Sequence, residues 1–262
     1  LVLENSEDGY VAGRFLRANT LSRYRDAEKG EWKLLVFDKN SAEARMPQGA
    51  IGFRWQSGKG QWNLQMKDGL DGSEIDPILS FMENRDEVLL VNFREFGGPR
   101  SFKRGLPVKY VETEKGRVPV TTVFDLLMAH CGIARGLPGE YPADYNHEEI
   151  PYTPAWQEKY TGISRETISQ FAREWSTTAE KTEGKCTIIV GSGANHWYHS
   201  NQSYRTGITA LILCGCVGVN GGGLNYYTGE EEFAIRAVGS TLAMDLEWTN
   251  APRLSYGPSF YD

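Results

Sequence analysis

The feature that most constrains this sequence is a strand–turn–helix pattern between Cys186 and Glu230. Thr187 to Val190 form a short, β-branched run that is too brief for a helix and is typical of a buried strand. The glycine turn, Gly191–Gly193, ends this run. A helical pattern follows and is expected to close at Gly218; its apolar face carries Tyr204, Ile208, Leu211 and Ile212. This order predicts a junction at the carboxyl edge of a sheet, where backbone N–H groups bind phosphates.

The glycine turn departs from the nicotinamide-dinucleotide fingerprint. His196 stands where that fingerprint has its third glycine, and no acidic residue follows about 20 positions on, because residues 210–216 contain none. We therefore expect a phosphate turn of another kind. Its candidate ligand-contacting residues are Gly191, Ser192, Gly193 and Asn195.

Other polar residues near the turn leave alternatives open. Arg205 can reach a phosphate or form a surface ion pair. His196 and His199 are three residues apart, which would allow a metal pair on a helix, but no third ligand falls at suitable spacing. We favour His196 as a hydrogen-bond donor to a ligand or substrate. The triple glycine, Gly221–Gly223, permits close approach of the backbone to a ligand or forms a flexible turn.

Composition limits the classes of function. A length of 262 residues predicts one or two domains, and a net charge of −6 argues against an unspecific binder of nucleic acid or anionic membranes. No apolar run approaches the ~20 residues of a membrane helix. The sequence starts without Met or a signal-like segment, so we expect a piece of a longer protein. The four cysteines lack zinc or iron–sulfur spacing and are expected to be small buried side chains.

The predicted fold class is α/β, α+β overall. Residues 1–117 read as a small, mainly antiparallel β-rich region, because strand-like runs at 32–37, 51–55, 61–64 and 87–93 follow one another without helical crossovers. Residues 118–262 read as part of a Rossmann-like, doubly wound domain. Its expected helices begin after the cap residues Thr122, Thr153 and Ser164.

Several segments resemble the catalytic α subunit of membrane-bound respiratory nitrate reductase, a molybdopterin oxidoreductase of the DMSO-reductase superfamily. The most specific are GSGANHWYH and YRTGITALILCGCVGVNGGGLNYYTGE. The likeness continues through VTTVFDLLMAHCGIARGL, YTPAWQEKYTGISRETISQFAREW, GAIGFRW and GYVAGRFLRA, and so covers nearly the whole chain.

The resemblance implies a molybdenum bis(molybdopterin guanine dinucleotide) cofactor. It implies that His196, the catalytic candidate, lies in the active-site funnel near the metal without being a metal ligand. The residues it implies for cofactor binding are Gly191, Ser192, Gly193, Asn195, His196, Arg205, Gly221, Gly222 and Gly223. The family's 4Fe-4S cysteines and molybdenum-ligating aspartate have no matching segment in this chain. Residues 229–232 read Gly-Glu-Glu-Glu where the family reads Gly-Gln-Glu-Lys.

The resemblance also implies a reaction and partners. The complete enzyme would reduce nitrate to nitrite by oxygen-atom transfer in anaerobic respiration, with an iron–sulfur β subunit and a membrane anchor subunit, peripheral at the cytoplasmic side of the membrane. The isolated chain is expected to be inactive. Two alternatives stay open: a nitrite oxidoreductase of the same clade, and a non-catalytic nucleotide-binding or assembly module.

Overall fold

The computed structural model describes residues 1–48, 66–95 and 98–226. The chain divides into two compact units, Leu1–Arg165 and Glu166–Asp262. Both contain helices and strands, which confirms the α/β class. The domain boundary expected at residue 118 stays a prediction. The strand-like runs expected at 51–55 and 61–64 lie outside the described residues.

The described residues contain nine strands, five α-helices and two 3-10 helices. The strands are β1 Leu3–Ser6, β2 Gly9–Ala12, β3 Val36–Phe37, β4 Ala44–Arg45, β5 Glu87–Arg94, β6 Ser101–Thr113, β7 Gly116–Val120, β8 Thr187–Val190 and β9 Gly223–Tyr226. The α-helices are α1 Val123–His130, α2 Pro154–Thr161, α3 Arg165–Lys181, α4 Ser192–Asn195 and α5 Ser200–Leu213. Two single-turn 3-10 helices cover Ala18–Thr20 and Ser22–Tyr24.

One mixed sheet organises the first unit. Its strand order is β1-β2-β5-β6-β7, and every pairing except the parallel contact of β2 with β5 is antiparallel. The long strand β6 pairs first with β5 and then, from Lys109 onward, with β7. An antiparallel bridge between Val2 and Val120 brings the last strand back to the first. The expected mainly antiparallel β region is therefore confirmed.

Strand β5 shows how the sequence pattern places the core. Leu89, Val91 and Phe93 are buried, whereas Leu90 is 45% exposed, because successive side chains of a strand point to opposite faces. The three buried side chains pack with Leu106 and Val108 of β6. This alternation fixes the register, since a slip of one residue would expose the whole apolar set.

Only the end of the run predicted as a strand over residues 32–37 is extended. Val36 and Phe37 form β3, but the backbone amides of Trp32 and Lys33 donate to the carbonyl oxygen of Lys29 in a turn. Lys29 has a φ of 56°, which breaks the extended conformation, and Trp32 is 74% exposed.

The predicted helix caps are confirmed for α1 and α2. Thr122 accepts the backbone N–H of Asp125 and its hydroxyl donates to the Asp125 carboxylate, both at 2.9 Å. Thr153 accepts the backbone N–H of Trp156 at 3.0 Å, and Gly162 at a φ of 71° ends α2. The predicted helix after Ser164 is α3.

Arg104 is a buried cation held by backbone carbonyl oxygens. Its side chain donates to the carbonyls of Ala129 and Glu140 at 2.8 Å, of His130 at 2.9 Å and of Pro151 at 3.2 Å. Two of these carbonyls belong to the last turn of α1, where the helix dipole is negative. Burial lowers the pKa of Arg104, but a guanidinium keeps its charge in proteins. Arg104 thus joins β6, α1 and two loops.

Two buried carboxylates order the irregular segments. Asp68 accepts Arg45 Nε at 2.8 Å and the Tyr24 hydroxyl, which links three parts of the chain that have little regular structure. Asp125 accepts Arg135 Nη1 at 2.8 Å. Because an unpaired buried charge is strongly destabilising, these pairs hold their segments in one arrangement.

We expect Arg104→Met to lower the free energy of unfolding by about 3 kcal/mol, because four carbonyl oxygens lose their donor inside the protein. Urea denaturation measures this change. The matched control is Arg94→Met on the exposed side of β5, which should alter stability by no more than about 0.5 kcal/mol. Equal effects of the two substitutions would contradict the role assigned to Arg104.

Asp38 should make stability depend on acid pH. Burial favours its neutral form, but hydrogen bonds from Ser41 and from the amide of Asp76 outweigh this and lower the pKa of Asp38 to about 2. An unfolded aspartate has a pKa of about 3.9, so the carboxylate contributes about 2–3 kcal/mol at neutral pH. This contribution is fully present above about pH 4 and is lost as the pH falls through 2.

We expect the stability difference between wild type and Asp38→Asn to shrink between about pH 4 and pH 2. Denaturation midpoints measured across this range test it, with the exposed Asp26→Asn as the control for removing one charge. A difference that stays constant with pH would show that Asp38 is not the titrating group.

Candidate functional site

The second unit contains the strand–turn–helix pattern. β8 pairs in parallel with β9, from Thr187 opposite Gly223 to Val190 opposite Tyr226. Between the two strands the chain passes through α4 and α5. This confirms the predicted strand and the predicted helix after it, but the expectation of a buried strand is wrong, because Thr187 and Ile189 of β8 are exposed. The helix ends at Leu213 rather than near Gly218, because Gly215 adopts a φ of 68° and turns the backbone earlier.

The glycine turn lies at the carboxyl end of β8. Gly191 has an extended backbone, with φ −120° and ψ −178°, and Gly193 lies in α4. A Cβ atom added to either glycine would meet nothing within 4 Å. Neither the backbone conformation nor a described neighbour therefore requires glycine at these positions. Open space beside a bare backbone is what a bound group would fill.

Polar residues follow directly on the turn. Ser192 is the first residue of α4, and Asn195 is the last. The Tyr204 hydroxyl of α5 donates to Asn195 Oδ1 at 2.6 Å. His196 caps the carboxyl end of α4 and is exposed. The structure thus brings Gly191, Ser192, Gly193, Asn195 and His196 to one edge of the strand pair.

The charge around the turn favours an anion. Residues 184–229 contain no Asp or Glu, although the whole chain has 34 acidic residues. Arg205 is exposed in the second turn of α5. This stretch carries Lys185 and Arg205 and no carboxylate, so its own formal charge is positive, whereas the chain's net charge is −6.

The triple glycine lies at the other end of the strand pair. Gly223 is opposite Thr187, so it lies at the amino end of the parallel ladder, about 13 Å of strand away from Gly191. Gly221 and Gly223 have φ values of 88° and 93°. A Cβ on Gly222 would lie 2.4 Å from the Cys216 carbonyl oxygen. The chain itself thus accounts for these glycines, and their role as a second cofactor contact stays a prediction.

The cysteines have mainly packing roles. Cys186 and Cys216 are buried and pack with Leu211, whereas Cys214 is half-buried and Cys131 is exposed, contrary to the expectation that all four are buried. Cys131 follows the last residue of α1 and therefore lies where the chain leaves the core. Within residues 1–48, 66–95 and 98–226, no group of three His, Cys, Asp or Glu side chains could hold a metal ion.

Several large apolar side chains of the second unit are exposed. Of the predicted apolar face of α5, only Leu211 is fully buried, and Ile212 is 61% exposed. Trp197 and Tyr198, between the two histidines, are 77% and 93% exposed. Phe171 of α3 is 62% exposed. The described part of this unit therefore covers only part of its apolar surface.

The first unit contains a cavity of a different kind. Its volume is about 310 Å³, and no charged side chain lines it. The lining residues include Phe15, Leu34, Phe37 and Phe81. Its described lining is apolar apart from Thr121 and Thr122, so the turn after β8 is the better candidate site for an anion. None of the described helices is long and apolar enough to cross a membrane.

Sequence reasoning found the glycine turn but not the hydrogen bond from Tyr204 to Asn195. Tyr204 was assigned to an apolar helix face, whereas its hydroxyl reaches back to the end of α4. The nine-residue separation gave no signal, because the partnership depends on the angle between two helices.

The chain is similar along its whole length to known proteins. It is 40% identical over 274 residues to the respiratory nitrate reductase 1 alpha chain of Escherichia coli (strain K12), which covers 100% of this chain and 22% of that one. It is 38% identical over 264 residues to the nitrate reductase alpha chain of Bacillus subtilis (strain 168), covering 100% and 21%. No protein-family profile matches the chain.

The chain is also similar, over a shorter segment, to a different reductase. Over 78 residues the chain is 38% identical to the perchlorate reductase subunit alpha of Dechloromonas aromatica (strain RCB), which covers 30% of this chain and 8% of that one. The resemblance seen in the sequence motifs is confirmed by the full-length matches. The chain belongs to the family of nitrate reductase alpha subunits and spans about a fifth of the length of the relatives it matches.

Proposed function

We propose that this chain is a cofactor-contacting part of a molybdenum-dependent nitrate reductase, with the turn after β8 as the contact. The observation that carries the proposal is 40% sequence identity, along the whole of this chain, to a nitrate reductase alpha chain. A glycine turn at the carboxyl edge of a parallel strand pair supports it. Ligands of α/β proteins bind at this edge.

The residues of the turn suit the phosphates of bis(molybdopterin guanine dinucleotide). Gly191 and Gly193 leave open space beside their backbone N–H groups. Asn195 offers a side-chain amide, and the exposed Arg205 offers a guanidinium, which suits phosphate oxygens. The side chains of the acid-free stretch add no repulsion. These are the chain's own contributions to binding and orienting the group.

In the complete protein the bound group would supply the two-electron chemistry that takes an oxygen atom from nitrate and yields nitrite. The protein's part is to position the reactants. His196, exposed beside Asn195, would donate a hydrogen bond to the oxyanion in the active-site funnel. The isolated chain would not reduce nitrate.

The relatives are named alpha chains, a name used for one subunit of several. We therefore include further subunits in the proposal. An iron–sulfur β subunit would deliver electrons through clusters that this chain does not ligate, and an anchor subunit would hold the enzyme at the cytoplasmic side of the membrane. Residues 229–232, with their three glutamates, lie outside the described residues.

A second oxyanion is suggested by the match to a perchlorate reductase subunit, but that match covers only 30% of the chain. Nitrate is favoured because the nitrate reductase matches cover all of it. Turnover of nitrate, nitrite and perchlorate by the complete enzyme distinguishes these substrates and the nitrite-oxidising alternative.

We expect Gly193→Ala and Gly191→Val in the complete enzyme to lower molybdenum and guanine content while leaving the thermal unfolding midpoint of the cofactor-free protein unchanged. Alanine favours a helix over glycine by about 1 kcal/mol, and valine suits the extended backbone of Gly191. The contrasting variant is Gly222→Ala, whose Cβ would lie 2.4 Å from a carbonyl oxygen. Gly222→Ala should lower the thermal unfolding midpoint, in contrast to the two turn variants. Normal cofactor content in both turn variants would contradict the proposed contact.

We expect His196→Ala to lower nitrate turnover per molybdenum by about 10- to 100-fold, the effect of losing one hydrogen bond to a charged group. Molybdenum content should fall much less. His199→Ala, three residues further on and also exposed, is the matched control and should change neither quantity greatly. Loss of molybdenum with normal turnover per metal atom would instead make His196 a binding residue.

A further inference from the structure

We propose that Cys186 and Cys216 are an oxidisable pair, whose thiols are converted by a peroxide to an intramolecular disulfide. This modification site lies in the second unit but outside the glycine turn, and it does not depend on which ligand the turn binds. The inference therefore goes beyond the proposed function. It assigns chemistry to two residues that otherwise only fill the core of this unit.

The backbones of the two cysteines meet at the triple glycine. The Cys186 carbonyl oxygen accepts the backbone N–H of Gly223 at 3.2 Å. The Cys216 carbonyl oxygen lies 2.4 Å from where a Cβ atom of Gly222 would be. The two cysteines thus contact consecutive glycines, although residues 187–215 separate them in the chain. Glycine allows this close approach of the backbones, which is what a disulfide requires.

The two thiols share one apolar cluster. Cys186 is 8% exposed and Cys216 is fully buried, and both belong to the cluster that contains Ala179 and Leu211. Burial raises the pKa of the Cys186 thiol, and the neighbouring Cys216 thiol, which is in hydrogen-bond contact with it, raises this pKa further. Packing therefore holds the two sulfur atoms next to each other in the reduced protein.

Cys214 is the competing partner, because it packs against the same cluster and is half-buried. It follows the last residue of α5, and its own carbonyl oxygen lies 3.5 Å from the Cys216 sulfur atom. Cys216 acts more strongly than Cys214 on the pKa of the Cys186 thiol and also hydrogen-bonds with it. The nearer and more deeply buried thiol is therefore the expected partner.

The reaction takes two steps. Hydrogen peroxide, a small uncharged oxidant, transfers one oxygen atom to the Cys186 thiolate, which gives a sulfenic acid and water as the O–O bond breaks. The Cys216 thiol then attacks the oxidised sulfur, forms the S–S bond and releases a second water. Two thiols have then lost two electrons and two protons, which reduce one peroxide to two waters. Because the thiolate is the reactive form, the raised pKa makes the first step slow at neutral pH.

The disulfide closes a loop that contains the candidate site. Residues 187–215 include β8, the glycine turn, α4 and α5. The cross-link lies at the amino end of the strand pair, because Cys186 directly precedes Thr187, whereas the glycine turn lies at the carboxyl end. Oxidation therefore joins the two ends of the loop without covering the turn, and it restricts the unfolded chain.

The experiment treats the complete enzyme with hydrogen peroxide and compares wild type with Cys186→Ala, Cys216→Ala and Cys214→Ala. Thiols that remain are alkylated after denaturation, and the protein is digested with trypsin and analysed by mass spectrometry. Cys214→Ala is the matched control, because it removes a thiol from the same cluster but not from the proposed pair. Oxidation of the exposed Cys131 shows that the peroxide has acted.

Trypsin separates the proposed partners. Cleavage after Lys185, Arg205 and Arg236 places Cys186 on peptide 186–205, and places the other two cysteines of the cluster on peptide 206–236. We expect oxidised wild type to yield these two peptides joined, with a mass about 2 Da below their sum because two hydrogen atoms are lost. The joined peptides should persist in Cys214→Ala and be lost in both variants of the pair.

A cross-link that disappears in Cys214→Ala but persists in Cys216→Ala would overturn the assignment of the pair. Wild type in which Cys131 is oxidised while Cys186 stays reduced, or becomes a sulfinic or sulfonic acid, would overturn the inference itself. The wild-type digest decides this even where a variant does not fold. These outcomes are distinguishable from failure of the proposed function, because the glycine variants test cofactor content separately.

Discussion

The parallel pairing of β8 with β9 is the constraint on which the candidate site depends. Because the two strands run in the same direction, their carboxyl ends share one edge and their amino ends share the other. The glycine turn lies at the first edge and the triple glycine at the second. Glycine therefore occurs for two different physical reasons in one stretch of sequence. Gly222 is required by a neighbouring carbonyl, whereas Gly191 and Gly193 face open space.

The exposed apolar side chains of the second unit have a physical explanation in the same strand pair. Parallel sheets are covered on both faces in folded proteins, and two strands alone are marginally stable. Ile189 of β8 is nevertheless 73% exposed, and several apolar side chains of α5 are also exposed. Within the described residues, the apolar faces of this strand pair and of α5 are therefore only partly covered.

Local signals in the sequence predicted the strand β8 and the caps of α1 and α2, because each depends on residues within a few positions of one another. Strand β6 was not foreseen as a single 13-residue strand. Gly105 and Pro107 argue against a strand, and only the structure shows Gly105 packed under Pro138, where a Cβ would lie 2.8 Å from a carbonyl oxygen. The sequence also does not predict where the β8–β9 pairing begins and ends, because the register between distant strands has no local sequence signal.

Some arginines are paired inside the protein and stabilise the fold, whereas Arg205 is exposed. Arg104 is surrounded by carbonyl oxygens, and Arg45 and Arg135 are bound to buried carboxylates. Each of these cations has a partner inside the protein, so leaving that partner to bind a ligand would lower stability. Arg205 is exposed, and among the described residues its side chain forms no ion pair. An exposed cation on α5, and a turn that glycine leaves open before it in the chain, are two features that a bound anionic group would stabilise.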